Sequence, residues 1–152
     1  MGEDIRKNVE IKNKKAFFQY EIIDKYEAGI VLKGTEIKSI RQGKASIKEG
    51  YCAFKKGELF ILNMNISPYS EAGHENHEMT RPRKLLLSRQ EINKLKKSKK
   101  DVGLTIVPLK LYINTSGFAK LQIGLAKGKK MQDKRNKLKE KDLKRQMDRA
   151  RK

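Results

Sequence analysis

Alternating apolar and polar positions predict a strand hairpin in the C-terminal half of the chain. Residues 109–113 and 121–125 each carry an apolar side chain at every second position, a period that is typical of a strand with one buried face. Between them, residues 114–117 read Asn-Thr-Ser-Gly, a composition that favours a turn. The pattern therefore predicts a two-stranded hairpin.

Two further regions continue the strand pattern. A second hairpin is predicted around Lys56-Gly57, joining residues 51–54 to 59–62, and residues 20–32 offer two more runs broken near 27–29. About six strands result. Because closure of a sheet removes its exposed edges, we predict a mainly β fold: an antiparallel barrel of about six strands with two or three short peripheral helices.

Two segments have a helical pattern instead. Residues 36–41 follow Thr35, a candidate N-cap, and precede Gly43, a candidate C-terminal stop. A second helix is predicted after Ser88, because Ser88 and Glu91 have the spacing of a capping box. Neither segment contains a glycine pattern for binding dinucleotides or phosphates.

The charge of the chain indicates a polyanionic partner. Among 152 residues, 37 Lys and Arg stand against 18 Asp and Glu, a net charge of +19. So strong a positive field attracts polyanions, and nucleic acid is the commonest polyanion of the cytosol. The alternative is a soluble protein of basic pI whose charge has no specific partner.

Other function classes fit the sequence poorly. The longest uncharged run, residues 59–70, contains Asn63 and Asn65 and is too short and polar to span a membrane. The N-terminus lacks an apolar signal region, so we expect a cytoplasmic location. The single cysteine, Cys52, agrees with a reducing compartment, and its place in a strand pattern indicates an inert, buried thiol.

The charge divides the chain into two predicted parts, a body of residues 1–126 with an N-terminal arm and a tail of residues 127–152. The tail holds 13 basic and 4 acidic residues and has no aromatic side chain, too little apolar surface to order itself. Its acids precede bases by four residues, as at Asp133 and Lys137, which supports a helix by about 0.2 to 0.5 kcal/mol per pair. We therefore expect a tail that is disordered when free and helical on a polyanion; the alternative is a merely solvated basic tail.

One segment invites an enzymatic interpretation. His74 and His77 lie three residues apart, whereas a zincin helix needs two histidines four apart and a third ligand. A polar surface loop is the preferred interpretation, and a small metal-dependent nuclease is the alternative. We expect no cofactor and no metal.

Basic residues of the body are candidates for an RNA surface. They form short groups around predicted loops: Asn13-Lys14-Lys15, Lys33, Lys38, Arg41, Lys44 and Arg81-Pro82-Arg83-Lys84. Oligonucleotide-binding barrels hold RNA with such loops and with exposed aromatics, for which Tyr69 and Tyr112 are candidates unless they pack on the body. Glu36 either accepts hydrogen bonds from RNA or stabilises a helix N-terminus.

These stretches, in their order and spacing, closely resemble the SsrA-binding protein family of bacterial ribosome rescue. The resemblance runs from about Asn8 to the C-terminus. It rests on the following segments: Asn13-Lys14-Lys15-Ala16, residues 26–32, Gly34-Thr35-Glu36-Ile37-Lys38-Ser39-Ile40-Arg41, Gly43-Lys44-Ala45, Asn65-Ile66-Ser67-Pro68-Tyr69, Arg83-Lys84-Leu85-Leu86-Leu87 and residues 124–130, closed by Asp133-Lys134-Arg135.

The resemblance implies an oligonucleotide-binding-like barrel without catalytic activity. Its partners would be the tRNA-like domain of transfer-messenger RNA and the ribosome. The complex of protein and RNA would enter the vacant A site of a ribosome stalled on an mRNA that lacks a stop codon. We expect a monomer with no membrane partner. The matching positions for the RNA are Asn13, Lys14, Lys15, Gly34, Glu36, Lys38, Ser39, Arg41, Lys44 and Leu85, and the basic group adds Arg83 and Lys84.

The tail is similar to the part of these proteins that probes the small-subunit decoding region and the empty mRNA channel. The matching positions are Lys127, Gly128, Lys129, Lys130, Asp133, Lys134 and Arg135. Relatives often carry a histidine or aromatic residue where this chain has Met131-Gln132. A stacking contact does not carry over, and hydrogen bonding by Gln132 is the expectation. A general single-strand-binding barrel or a structural ribosomal protein remains the alternative within the binding class.

Overall fold

A computed structural model describes residues 9–129 of the chain, which form nine strands and three helices. The strands are β1 (Glu10–Lys12), β2 (Tyr20–Ile30), β3 (Ala45–Ser46), β4 (Tyr51–Lys55), β5 (Glu58–Leu62), β6 (Asn65–Ile66), β7 (Arg83–Leu86), β8 (Leu104–Ile113) and β9 (Ala119–Gly128). The helices are α1 (Lys14–Gln19), α2 (Gly34–Arg41) and α3 (Arg89–Lys99).

Six of the strands close into an antiparallel ring. The order is β8, β4, β5, β7, β2 and β9, and β9 pairs back with β8 to complete the ring. β1 pairs with residues 110–112 of β8, on the edge opposite β9, and β3 with β6 forms a separate two-stranded sheet. The six-stranded ring with three helices confirms the predicted mainly β architecture, and it leaves few unpaired strand edges.

Both predicted hairpins are present, and one predicted strand break is not. β4 and β5 meet at Lys56 and Gly57, both of which have positive φ, and β8 and β9 meet at the 114–118 turn. The predicted break near residues 27–29 is wrong. β2 is continuous because every residue from 24 to 29 pairs with β9, and its irregularity lies instead at residues 22–24.

The core has a main part inside the ring and a smaller part beneath α1. Leu111, Leu121 and Ile123 belong to the main core, but Leu109 packs with Ala16 and its neighbours under α1. The predicted alternation is confirmed, since Leu109 and Leu111 are buried and Lys110 between them is not. The difference is that the register shift between Pro108 and Lys110 places Leu109 in the smaller core.

The two predicted helices are present, with one difference at a cap. α3 begins after Ser88, whose Oγ accepts the Glu91 N–H, as the capping box predicts. α2 begins at Gly34, and the predicted cap at Thr35 is wrong: Lys33 occupies the N-cap position, and Glu36 Oε1 accepts its N–H at 2.7 Å. Gly43, with φ of 74°, follows the end of α2, where a left-handed residue commonly stops a helix.

α1 was not predicted. The Asn13-Lys14-Lys15 segment follows the strand β1 and begins this helix, instead of preceding the first strand. At the other end, β9 continues through Lys127 and Gly128, which pair with Glu21 and Tyr20. The predicted tail from Lys130 onward lies outside the described residues.

Candidate nucleic-acid interface

One basic group of the candidate surface lies at the C-terminal end of α2. Lys38 and Lys44 are exposed and Arg41 is half-buried. Arg41 Nη2 donates to the Gly117 carbonyl of the β8–β9 turn at 3.5 Å, which brings that turn against α2. Lys38 Nζ lies 5.3 Å from the centre of the Tyr69 ring. The end of α2 therefore presents cations beside an aromatic ring, a combination that suits RNA.

A buried ion-pair network holds the N-terminal end of α2. The Glu36 side chain has no exposed surface. Its carboxylate accepts hydrogen bonds from Arg81 Nε at 3.1 Å and from Arg83 Nε, as well as from the Lys33 N–H. Both oxygens are thus occupied by donors of this chain.

Arg83 connects this network to the loops around it. Its Nη1 donates to the Met64 carbonyl at 2.7 Å, and its Nη2 donates to the carbonyls of Glu78 and Met79 at 3.3 and 3.1 Å. The guanidinium is fully buried, so water does not compete for these hydrogen bonds. One side chain thereby fixes two segments, at Met64 and at residues 78–79, relative to α2.

The network keeps the Glu36 carboxylate charged. Burial raises the pKa of Glu36, but the hydrogen bonds from Arg81, the Lys33 N–H and Arg83 outweigh it, and the pKa lies below its usual value. A carboxylate so enclosed stabilises the helix N-terminus. Of the two interpretations of Glu36, the structure therefore favours the helix role.

The loop between β6 and β7 is attached to α2 by two further contacts. Ser39 Oγ donates to the Ser67 carbonyl at 2.7 Å. His77 is buried, its Nε2 lies 2.9 Å from the Ile66 carbonyl and its Nδ1 lies 2.9 Å from Thr35 Oγ1. Because a carbonyl only accepts, Nε2 carries the proton and Nδ1 accepts from Thr35 in the neutral ring.

A second basic group surrounds α1. Lys12, Lys14, Lys15 and Lys48 line one groove together with β3. Asn13, at its base, donates from Nδ2 to the Pro108 carbonyl at 2.8 Å and accepts the Ala16 N–H on Oδ1. This buried amide fixes the start of α1, and the lysines around it line the groove.

The predicted RNA-binding residues therefore divide into an exposed and a buried set. Lys14, Gly34, Lys38 and Lys44 are exposed, and Lys15, Arg41 and Lys84 are half-buried. The side chains that are buried are Asn13, Glu36, Ser39, Arg83 and Leu85. The first set can reach a ligand as the protein stands, whereas the second holds the loops and the core in place.

Lys12 and Lys48 were missed by the sequence analysis. Lys12 lies on β1, a strand that was not predicted, and Lys48 follows the short strand β3. No local pattern relates positions 12 and 48, and only the packing of β3 against the β1–α1 corner brings them together. The clustering of lysines around Asn13 was the available signal.

The candidate metal site and the cysteine do not form a reactive centre. Both ring nitrogens of His77 are engaged, and His74 is exposed. Within residues 9–129, no three His, Cys, Asp or Glu side chains cluster as a metal would require. Burial raises the pKa of the Cys52 thiol, in agreement with an inert cysteine. In the same part of the chain, no helix is long and apolar enough to cross a membrane.

The predicted tail contacts fall mostly beyond the described chain. Lys127 and Lys129 are exposed at the end of β9, and Gly128 pairs with Tyr20. The remaining candidates, Lys130, Gln132, Asp133, Lys134 and Arg135, lie outside the described residues.

Comparison with known proteins gives one consistent answer. A family model described as SmpB protein matches residues 10–152. A protein of Cytophaga hutchinsonii named SsrA-binding protein is 56% identical over 149 residues, which cover 98% of this chain and 97% of the relative. A protein of the same name from Christiangramia forsetii is 54% identical over 148 residues, 97% of this chain and 94% of the relative.

A solved structure agrees with these relatives. It is described as "tmRNA-SmpB: a journey to the center of the bacterial ribosome", and one of its chains is 45% identical to this one with a TM-score of 0.68. The match covers 80% of this chain and 85% of that chain. The similarity in sequence and in backbone therefore extends over most of both molecules.

Proposed function

The chain belongs to the SmpB protein family, and we propose that it binds SsrA RNA, also called transfer-messenger RNA, and acts with it in ribosome rescue. The observation that carries this function is the match of the family model to residues 10–152, together with relatives named SsrA-binding protein over nearly their whole length. In this function the chain is an RNA-binding factor without catalytic activity, and it works in the cytoplasm, where ribosomes are.

The exposed basic residues on α2 and around α1 are the proposed contacts with the tRNA-like domain of that RNA. Lys38, Arg41 and Lys44 cluster at the end of α2, and Lys14 and Lys15 line the groove at the start of α1. Ammonium and guanidinium groups neutralise phosphates without reading sequence. This chemistry supports recognition of a folded backbone shape, as double-stranded RNA requires.

The buried members of the candidate set act indirectly in this proposal. Asn13 fixes the start of α1, Ser39 connects α2 to the loop between β6 and β7, and Glu36 with Arg83 holds the other end of α2. Each is a positioning residue for the exposed cations. Their replacement would therefore weaken RNA binding through displacement of loops and helices.

The residues from Lys127 onward are proposed to contact the ribosome. Thirteen basic residues among the last 26 of the chain favour contact with ribosomal RNA of the decoding region and mRNA channel. Lys127 and Gly128 end β9, and Lys129 follows it directly. The body would then hold one RNA while the tail contacts another.

The proposed function is tested by competition binding with the full chain. Labelled tRNA-like domain of SsrA RNA is bound first, and unlabelled tRNA-like RNA or unstructured RNA of the same length is added as competitor. The folded competitor should displace the label at much lower concentration. Equal displacement by both would indicate a general single-strand-binding protein and contradict the proposal.

A further inference from the structure

Two aromatic side chains at adjacent positions of α1 are exposed to solvent. Phe18 is 78% exposed and Phe17 is 42% exposed, and Ile23, at the β2 irregularity, is 53% exposed. Neither the core nor the basic groups described above use these side chains. Clustered large apolar groups on a protein surface commonly mark an interaction site.

The aromatic pair is held on a fixed piece of backbone. Asn13 caps α1 by accepting the Ala16 N–H, and it donates to the Pro108 carbonyl of β8. On the inner side of the same helix, Ala16 packs against Val107 and Ala126 in the small core. Phe18 lies about 160° around the helix from Ala16. Its ring is thus presented by a helix that is anchored on the opposite face, which lowers the entropic cost of a contact.

Charge around the rings favours a nucleic-acid ligand over an apolar protein surface. Lys25 Nζ lies 5.5 Å from the centre of the Phe17 ring. Lys127 and Lys129 are exposed at the end of β9, which reaches α1 because Gly128 pairs with Tyr20. The acids near α1 have cationic partners: Glu21 is opposite Lys127 in the sheet register, Asp24 pairs with Lys94 at 3.4 Å, and Glu49 pairs with Lys15 at 3.1 Å. Rings interspersed with cations are the arrangement that stacks unpaired bases and holds their phosphates.

The position of the two rings in the fold indicates whether SsrA RNA or ribosomal RNA supplies the stacked base. α1 precedes β2 and α2 follows it, so the rings and the cations of α2 lie at opposite ends of an eleven-residue strand, about 35 Å of extended chain. The rings lie beside the point where the chain continues into its basic last 23 residues. The α2 end is proposed to hold SsrA RNA together with the groove at the start of α1, which is lined by Lys14 and Lys15 but by neither phenylalanine. The basic C-terminal segment is proposed to meet the ribosome.

We propose that Phe17 and Phe18 form a stacking platform for an unpaired base of ribosomal RNA. This inference rests on the proposed function and adds a contact to it: the platform engages the ribosome, while the α2 end and the groove at the start of α1 hold SsrA RNA. Phe18 is the principal stacking residue because more of its ring is free.

The test uses the full chain, with Phe18→Ala and Phe18→Leu as the variants and Phe18→Trp as the conservative replacement. Affinity is measured first for SsrA RNA alone and then, for the preformed complex, with small ribosomal subunits. Phe18→Ala should leave the first affinity unchanged and weaken the second by about 5- to 150-fold, the range for one stacked base. Phe18→Leu should lose nearly as much, because leucine keeps the apolar contact but has no π face, and Phe18→Trp should retain binding.

Phe118→Ala is the matched control, and four outcomes would contradict the platform or the proposed function. Phe118 is 66% exposed on the β8–β9 turn, away from α1, and Phe118→Ala should not change subunit affinity. Unchanged subunit affinity for Phe18→Ala would overturn the platform, and full retention by Phe18→Leu would replace it with an apolar contact to a ribosomal protein. Loss of SsrA RNA affinity in the first measurement would assign the rings to the other RNA. If the unaltered chain binds no SsrA RNA, the proposed function itself fails.

Discussion

Arg83 shows how a residue that looks like an RNA ligand in the sequence becomes a structural one in the fold. It follows Arg81 in a basic segment, yet its guanidinium is fully buried and donates to Glu36 and to three backbone carbonyls. Removing one partner of a buried ion pair leaves the other charge unpaired, which is far more costly than losing an exposed pair.

Replacement of Arg83 by methionine should therefore destabilise the body strongly. We expect a loss of about 3–5 kcal/mol in the free energy of unfolding, the usual cost of breaking a buried pair. Urea unfolding followed by far-ultraviolet circular dichroism measures it.

Lys84 provides the control for this change. It is the next residue, and its ion pair with Glu58, at 2.9 Å, is partly exposed on both sides. Lys84→Met should cost less than about 1 kcal/mol. Equal losses in the two variants would contradict the role assigned to Arg83.

Glu36 makes the stability of the body depend on pH. The pKa of Glu36 in the folded protein lies below its unfolded value. Its ion pairs therefore contribute their full stability above the unfolded pKa of about 4.3. This stability is lost as the pH falls through the folded pKa. Glu36→Gln should remove this part of the acid sensitivity. The urea concentration at the midpoint of unfolding should then fall less steeply as the pH is lowered below 5. Glu58→Gln, at an exposed pair, should decline in parallel with the unaltered chain.

At the scale of elements, α2 is the most informative target for RNA binding. The helix ends in Lys38 and Arg41, and Lys44 is tied to it because its N–H donates to the Ser39 carbonyl at 2.9 Å. Each cation that meets a phosphate should contribute about 0.7 to 0.9 to the slope of log affinity against log salt concentration. The variant with Lys38, Arg41 and Lys44 all replaced by alanine should therefore reduce the magnitude of this slope by about two and weaken SsrA RNA binding.

α3 supplies an equal change of charge elsewhere. Lys97, Lys99 and Lys100 are exposed at its C-terminal end, outside the surface proposed for SsrA RNA. Their triple alanine variant should change the salt slope by less than the α2 variant does. The same slope for both would mean that total charge, and not the α2 surface, governs binding.

At the scale of the whole molecule, the body and the tail should separate functionally. A chain that ends at Lys129 keeps all of β9, whereas one that ends at Leu125 loses the pairs of Lys127 and Gly128 with β2. The first truncation should retain most SsrA RNA affinity near 150 mM salt, where charges more than about 8 Å from the RNA are largely screened. It should abolish the proposed rescue of stalled ribosomes, which is measured as tagging of their nascent chains.

The longer truncation is the folding control, since it should lower the free energy of unfolding as well as RNA binding. A chain ending at Lys129 that loses RNA affinity and tagging to the same degree would show that body and tail do not have separate roles. Both chains are measured by urea unfolding, RNA binding and a reconstituted tagging assay.

The sequence by itself determined the features that depend on neighbouring residues. The Ser88 capping box, the Lys56-Gly57 hairpin and the alternation around the 114–117 turn each lie within a few positions of one another, so local geometry fixes them before the chain folds. The order and spacing of its basic and glycine motifs likewise indicated the family.

Only the tertiary structure decided which charged groups are free to bind. Glu36 and Arg83 are 47 positions apart, and Lys12 and Lys48 come together through packing of β3 against α1. Whether an arginine meets water or a buried carboxylate depends on segments brought together from distant parts of the sequence, and no local pattern carries that information. The same reason explains the two exposed phenylalanines, because a hydrophobic side chain stands in solvent only when the fold leaves its face of the helix uncovered.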